Sequence, residues 1–190
     1  MKTTFIKIKE YNLYPKNQTV DHFEYVCRVL NQSIDPPTED PHGLSIATTK
    51  KIFCSPLRRA KECIITQSGA KVLYIPQLSE VPFDLKIFCS RSEWKSQKSN
   101  AVRKYFKKAF IQDKLLFTRE KLRGQIREIF RIAEQNPEST MISHTFRLTL
   151  IRVYQETNGD IFQKPELIQQ YISDEKRILD FGESFDLEIS

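Results

Sequence analysis

The stretch from Lys51 to Ala60, KIFCSPLRRA, constrains the fold of this chain more than any other. Its apolar start is typical of a short buried strand, and it passes without a linker into Ser55 and Pro56. Serine favours the position just before a helix and proline favours its first turn. We therefore predict a strand that runs directly into a helix from Leu57 to about Thr66, with Ser55 as its N-cap.

Two arginines follow this turn, and a second stretch of similar build lies later in the chain. Arg58 and Arg59 fall near the positive end of the predicted helix dipole, where an anion would bind. The stretch from Met141 to Arg147, MISHTFR, places His144 at the end of an apolar run and just before another helical pattern. Together the two stretches predict a phosphate pocket.

Strand and helix patterns alternate along most of the chain. The predicted strands lie at about 3–8, 51–54, 72–75, 140–143 and 184–189, and the predicted helices at about 19–31, 57–66, 117–135, 146–154 and 165–171. This alternation predicts an α/β fold, a three-layer α/β/α sandwich with a mostly parallel sheet and ligands at the carboxyl ends of its strands. A length of 190 residues fits one domain over 1–190.

The order of these motifs resembles that of the histidine phosphatase superfamily, in its phosphoglycerate mutase-like branch. That family has a strand ending in Ser, Pro, Leu, a variable residue, Arg and Ala, which the segment 55–60 matches. A later strand of the family ends in Ser and His, matched by Ser143 and His144. Between the two lies a Leu, any residue, Glu signature, matched at 78–80.

The resemblance implies roles for three residues. Arg59 would contact the phosphoryl group, His144 would stabilise its charge as the second histidine of the family, and Glu80 would be the general acid. A phosphoryl group spreads negative charge over its oxygens, and arginine offers them a planar fork of donors. Arg58, at the variable position, is expected to face outward.

The nucleophile of the family lies in an Arg-His-Gly tripeptide at the end of the first strand. Here that strand runs into Lys9, Glu10 and Tyr11, and the only other histidines are His22 and His42. Lys9 is the candidate for binding phosphate at the position of the arginine. Glu10 stands at the position of the missing nucleophile, where a carboxylate could form an acyl phosphate but would also repel an anionic ligand. We therefore expect the family reaction to be lost.

The segment at about 83–117 interrupts the alternation and is interpreted as an inserted, partly helical, lid-like segment. Its aromatic residues are interleaved with lysines and arginines. The favoured interpretation is a solvated helix whose aromatic side chains lie in the core. In the family this region is the lid that shapes substrate choice, and basic residues between aromatics also suit single-stranded nucleic acid or a partner-binding face.

Three functions are compatible with these patterns. The favoured one is a catalytically degenerate protein that binds a phosphorylated small molecule, a phosphoprotein or another protein partner through a remnant phosphate pocket. The second is an active phosphomonoesterase or related phosphoryl-transfer enzyme that uses Glu10 or an activated water. The third, less favoured, is a basic nucleic-acid-binding protein. A net charge of +6 is consistent with it, but the same excess fits a handler of anionic metabolites and is common on solvated surfaces, so the charge alone decides nothing.

Cysteine spacing and hydropathy bear on metal binding, secretion and membrane insertion. The four cysteines lie far apart and show no CxxC spacing, which argues against a zinc site and against a dithiol redox motif. No metal and no cofactor is predicted. Charged residues interrupt the segment 1–10, so no signal peptide is expected, and no apolar run is long enough to cross a bilayer. We expect a cytoplasmic protein without a membrane partner.

Overall fold

Strands and helices alternate through the computed structural model, which describes residues 2–8, 21–32, 44–46, 51–66, 70–173 and 182–188. The strands are β1 (Lys2–Lys7), β2 (Leu44–Ile46), β3 (Lys51–Cys54), β4 (Ile64–Thr66), β5 (Lys71–Tyr74), β6 (Thr140–Ser143) and β7 (Ser184–Glu188). The α-helices are α1 (His22–Leu30), α2 (Arg58–Glu62), α3 (Arg91–Gln97), α4 (Ser99–Ile111), α5 (Arg119–Gln135) and α6 (Thr145–Glu156). Short 3-10 helices cover Pro76–Leu78, Leu85–Ile87, Asp160–Phe162 and Pro165–Gln170.

A five-stranded sheet in the order β5-β3-β6-β1-β7 organises these elements. All neighbouring strands are parallel except β7, which is antiparallel to β1 and forms one edge. Strands β3 and β6 are direct neighbours, with Cys54 opposite Ile142. Their carboxyl ends therefore lie side by side, at the end of the sheet where the parallel strands finish.

Both faces of the sheet are covered by apolar side chains. Successive strand residues point to opposite faces. Phe53 and Met141 enter a large core cluster, whereas Ile52 and Ile142 enter a smaller cluster that includes Ala60 of α2. A sheet buried on both faces is typical of parallel α/β folds. The predicted fold class, an α/β sandwich around a mostly parallel sheet, is confirmed.

The segment 83–117 forms helices α3 and α4 and packs into the large core. Phe106 stacks on Phe146 of α6 with ring centroids 3.9 Å apart, and Phe83 meets both rings edge-on. Trp94 is 5% exposed and lies against Phe23 of α1. The aromatic side chains of this segment thus belong to the core of the sheet, as the favoured interpretation expected, while its role as a lid stays a prediction.

Helix α2 and its start differ from the sequence prediction. The helix ends at Glu62, and the residues Ile64–Thr66 form β4, which pairs in parallel with β2 in a second, two-stranded sheet. This run of β-branched residues favours a strand over a helix, because branching restricts the side chain in a helix. Ser55 is not the N-cap: that position is Leu57, and Ser55 Oγ instead accepts a hydrogen bond of 3.3 Å from the Leu57 N–H.

The helical segment that opens at Pro165 is a 3-10 helix rather than the predicted α-helix. It packs against α4 and against the preceding 3-10 helix, Asp160–Phe162. Ile168 is its buried residue and belongs to the large core. In the part of the chain that the structure describes, no helix has the length and apolar character that a membrane crossing requires.

Candidate functional site

The carboxyl ends of β3 and β6 bring Ser55 and His144 together. Each residue directly follows its strand, and the Ser55 N–H continues the sheet ladder by donating to the carbonyl of Ile142 over 3.1 Å. The Nε2 atom of His144 lies 2.8 Å from Ser55 Oγ. The two matched motifs, 89 positions apart in the sequence, are therefore joined by a direct side-chain hydrogen bond.

Arg59 lies in the first turn of α2 and faces the same histidine. Its Nε donates to His144 Nδ1 over 3.1 Å. Arg59 and His144 are only 5% and 2% exposed. The neighbouring Arg58 has a side chain that is 57% exposed and pairs with Glu62 four residues on. Of the two arginines, Arg59 is thus the one that belongs to the site.

These contacts fix the protonation state of His144. Arginine Nε is a donor only, so His144 Nδ1 is an acceptor and the ring is neutral. The ring proton then lies on Nε2 and is donated to Ser55 Oγ. Burial, followed by the positive charges of Arg59 and Arg147, holds the pKa of His144 well below the usual histidine range.

Glu80 follows the 3-10 helix after β5 and reaches the first turn of α6. One carboxylate oxygen accepts from the N–H groups of Val81 and Arg147 at 2.9 and 3.0 Å, and the other accepts from the Phe146 N–H at 3.4 Å. The N-cap position of α6 is His144, whose side chain makes no capping bond. The Glu80 carboxylate therefore occupies the anion-binding end of this helix.

Arg147 is the buried cation that accompanies Glu80, and the sequence analysis did not single it out. It is fully buried, and it donates to the Ser79 carbonyl and to Gln125 Oε1, each at 2.9 Å. Burial lowers the pKa of Arg147 to about 10, while the charge of Glu80 opposes that shift, so the side chain stays charged at neutral pH. The sequence signal that could have identified it is its position within the largely apolar segment 146–151.

Lys7 is a second residue that the sequence analysis missed. It ends β1, lies opposite Ser143 of β6 in the sheet register and is 1% exposed. The alternating pattern of β1 places it on the same face as Phe5. The predicted site residues Lys9 and Glu10 lie outside the described residues. Within the described part of the chain, Lys7 is the cationic residue at the carboxyl end of β1.

The described residues offer no cluster of three histidine, cysteine, aspartate or glutamate side chains that could hold a metal ion. The cysteines at 27, 54, 63 and 89 are reduced and buried. Burial raises the pKa of both Cys27 and Cys54 to about 12, so neither thiol is a nucleophile at neutral pH.

Comparison with known proteins shows a likeness of fold. No protein-family profile matches the chain, and no curated protein matches it. Among solved structures, the fold is similar to that of the α-ribazole phosphatase from Shigella flexneri, with a TM-score of 0.53 over 100% of this chain and 91% of that chain. The identity is 16%, so the likeness concerns the fold alone. The chain therefore has a mixed α/β fold of the phosphoglycerate mutase-like type.

Proposed function

We propose that this protein is a catalytically degenerate histidine-phosphatase-like protein that binds a phosphorylated small molecule or a phosphoprotein beside Arg59. The observation that carries the proposal is the hydrogen bond from Arg59 Nε to His144 Nδ1. In a phosphoryl-transfer site both side chains would donate to the oxygens of the phosphoryl group. Here the neutral imidazole accepts from the arginine and donates to Ser55, so it has no donor left for a phosphoryl oxygen.

The contacts of Glu80 support the loss of catalysis. A general acid must hold a proton at the leaving group, whereas this carboxylate accepts three backbone N–H bonds and faces the charge of Arg147. Hydrogen bonds to the ionised form favour that form. Glu80 therefore acts as a fixed anion at the start of α6 rather than as a proton donor.

The cations at this edge support binding of an anion. Arg59 follows β3 and Lys7 ends β1, the two strands on either side of β6, and ligands of open α/β sheets bind at the carboxyl ends of the strands. A phosphate entering beside Arg59 would place its negative charge next to the guanidinium, which would neutralise part of that charge. The ligand we propose is therefore one with a doubly charged phosphoryl group rather than a singly charged carboxylate.

The proposal is tested by two measurements on the wild-type protein and on a matched pair of variants, Arg59→Gln and Arg58→Gln. We expect no hydrolysis of p-nitrophenyl phosphate above background. We expect inorganic phosphate to stabilise the wild type and Arg58→Gln, by about 1.4 kcal/mol at ten times its dissociation constant. The stabilisation should be absent in Arg59→Gln, and comparing each variant with and without phosphate removes any effect of the substitution on folding itself.

Two outcomes would replace this proposal. Hydrolysis that disappears in both Arg59→Gln and His144→Gln would establish an active phosphomonoesterase with a nucleophile other than histidine. An absence of stabilisation by phosphate in the wild type would leave a protein partner, rather than a phosphorylated ligand, as the function of this edge.

A further inference from the structure

A basic cavity lies between α4 and the 3-10 helix Pro165–Gln170, on elements that contribute nothing to the Arg59 site. Its volume is about 460 Å³, which falls in the range of small-molecule sites. Its lining consists of three lysines, two glutamines and one isoleucine: Lys104, Lys107, Lys108, Ile111, Gln112 and Gln169.

Helix geometry explains why the lysines converge. Positions 104, 107, 108 and 111 are spaced by three and four residues, so their side chains lie on one face of α4. The other face of the helix is fixed in the core by Tyr105, Phe106 and Phe110, which are 5%, 0% and 0% exposed. The helix cannot rotate without exposing these rings, so the face that carries the lysines stays turned toward the cavity.

The charge of this surface is concentrated and positive. Lys104 Nζ lies 3.1 Å from Glu93 Oε1 in a pair whose side chains are 41% and 27% exposed, and a pair of this kind contributes little. Lys104 and Lys108 are four residues apart, a spacing at which like charges repel. Lys108 also lies in the last turn, where it complements the helix dipole. A bound anion would relieve the repulsion between Lys104 and Lys108.

We propose that this cavity binds a small molecule that carries two or more adjacent phosphate groups. The lysines neutralise the phosphates as compact point charges. Ile111 offers an apolar contact to the rest of the molecule, and the amides of Gln112 and Gln169 hydrogen-bond its polar groups. A single-stranded nucleic acid fits less well, because the aromatic rings that would stack on its bases are buried in the core.

Isothermal titration calorimetry of the full chain tests this, with pyrophosphate, a nucleoside triphosphate and the unphosphorylated nucleoside as probes. The informative variant is Lys107→Gln/Lys108→Gln, and the matched control is Lys95→Gln/Lys114→Gln, which removes the same charge from two exposed lysines outside the cavity. We expect both phosphorylated probes to bind the wild type and the control variant with similar affinity. They should bind the cavity variant at least tenfold more weakly. The unphosphorylated nucleoside should bind none of the three proteins.

The remaining outcomes contradict the proposal. Equal weakening in the control would show a diffuse charge effect, and an absence of binding by both phosphorylated probes would show that the lysines are a solvated face. Binding that is lost in Arg59→Gln but kept in the cavity variant would place the anion at the first site instead. Binding of a single-stranded polynucleotide at concentrations where pyrophosphate does not bind would assign the surface to nucleic acid.

Discussion

Nδ1 of His144 accepts a hydrogen bond from Nε of Arg59 over 3.1 Å, so the two side chains that the family motifs would direct at a phosphoryl group are directed at each other. The two motifs lie next to each other in the structure, but their polar side chains are hydrogen-bonded to one another. His144 links the end of β6 to Ser55 after β3 and to Arg59 in α2. The site residues thus also hold together the carboxyl edge of the sheet.

Burial of a neutral His144 makes the stability of the protein depend on pH. The pKa of His144 in the folded protein lies below the unfolded value of about 6.5. Below that pH the unfolded chain binds a proton that the folded chain does not. The free energy of unfolding therefore decreases as the pH is lowered, by at most about 1.4 kcal/mol per pH unit. Urea unfolding between pH 7 and pH 5 measures this, and the slope should flatten in His144→Gln.

His22 provides the control for this pH dependence. Its pKa is also lowered, mainly by burial, but the side chain is only partly buried. Its contribution has the same sign and is smaller. His22→Gln should therefore retain most of the wild-type slope, and an unchanged slope in His144→Gln would show that another group causes the effect.

Glu80→Gln should destabilise the protein strongly whether or not any catalysis occurs. The substitution keeps an acceptor for the N–H groups of α6 but removes the negative charge that faces the buried Arg147. Losing the charge on a carboxylate that accepts backbone N–H bonds beside a buried arginine should cost about 1.5–3 kcal/mol. Chemical denaturation measures the loss, with Glu128→Gln as the control. Glu128 pairs with Arg131 on the exposed surface of α5, so its loss should cost about 0.5 kcal/mol or less.

Features of this site that depend on the local sequence could be predicted, whereas features that depend on contacts between distant parts of the chain could not. The apolar run of β6 and the spacing of α5 are local signals, and both elements lie where they were predicted. The adjacency of Ser55 and His144 follows from the motifs only once β3 and β6 are neighbours in the sheet. Hydrogen-bond roles have no local signal, so Ser55 was taken as a helix cap when it is a partner of His144.

The residues that sequence reasoning missed are charged side chains buried by tertiary packing. Lys7 and Arg147 stand in patterns where a charge ordinarily marks a solvent-facing position, yet they are 1% and 0% exposed. Arg147 is buried with two hydrogen-bond acceptors for its guanidinium, the Ser79 carbonyl and Gln125 Oε1, and with the charge of Glu80 nearby, while its Nη1 has no hydrogen-bond partner among the described residues. No periodicity in α6 contains that information. The second sheet, β2 with β4, was missed for a related reason, since each strand is short and gains its partner only from the fold.

Ser55→Ala tests the structural use of the first motif. The substitution removes the atom that accepts from His144 Nε2 and from the Leu57 N–H. A buried donor left without a partner costs about 1–3 kcal/mol, and we expect a loss of stability in that range. Ser92→Ala is the control, because Ser92 makes only an exposed contact with Ser90. Equal effects of the two substitutions on the denaturation midpoint would contradict the structural role.

Phe106→Ala tests whether the segment 83–117 folds as part of the core. Phe106 is fully buried and stacks on Phe146, so its truncation should cost about 3–5 kcal/mol of unfolding free energy. Ile87→Ala is the control from the same segment, since Ile87 is 61% exposed and should lose less than about 0.5 kcal/mol. Chemical denaturation followed by Trp94 fluorescence and by circular dichroism measures both variants. Coincident transitions at a lower midpoint in Phe106→Ala are expected, because Trp94 of this segment and the sheet share one core. An early fluorescence transition that leaves the circular dichroism of the sheet unchanged would instead describe a lid that opens independently.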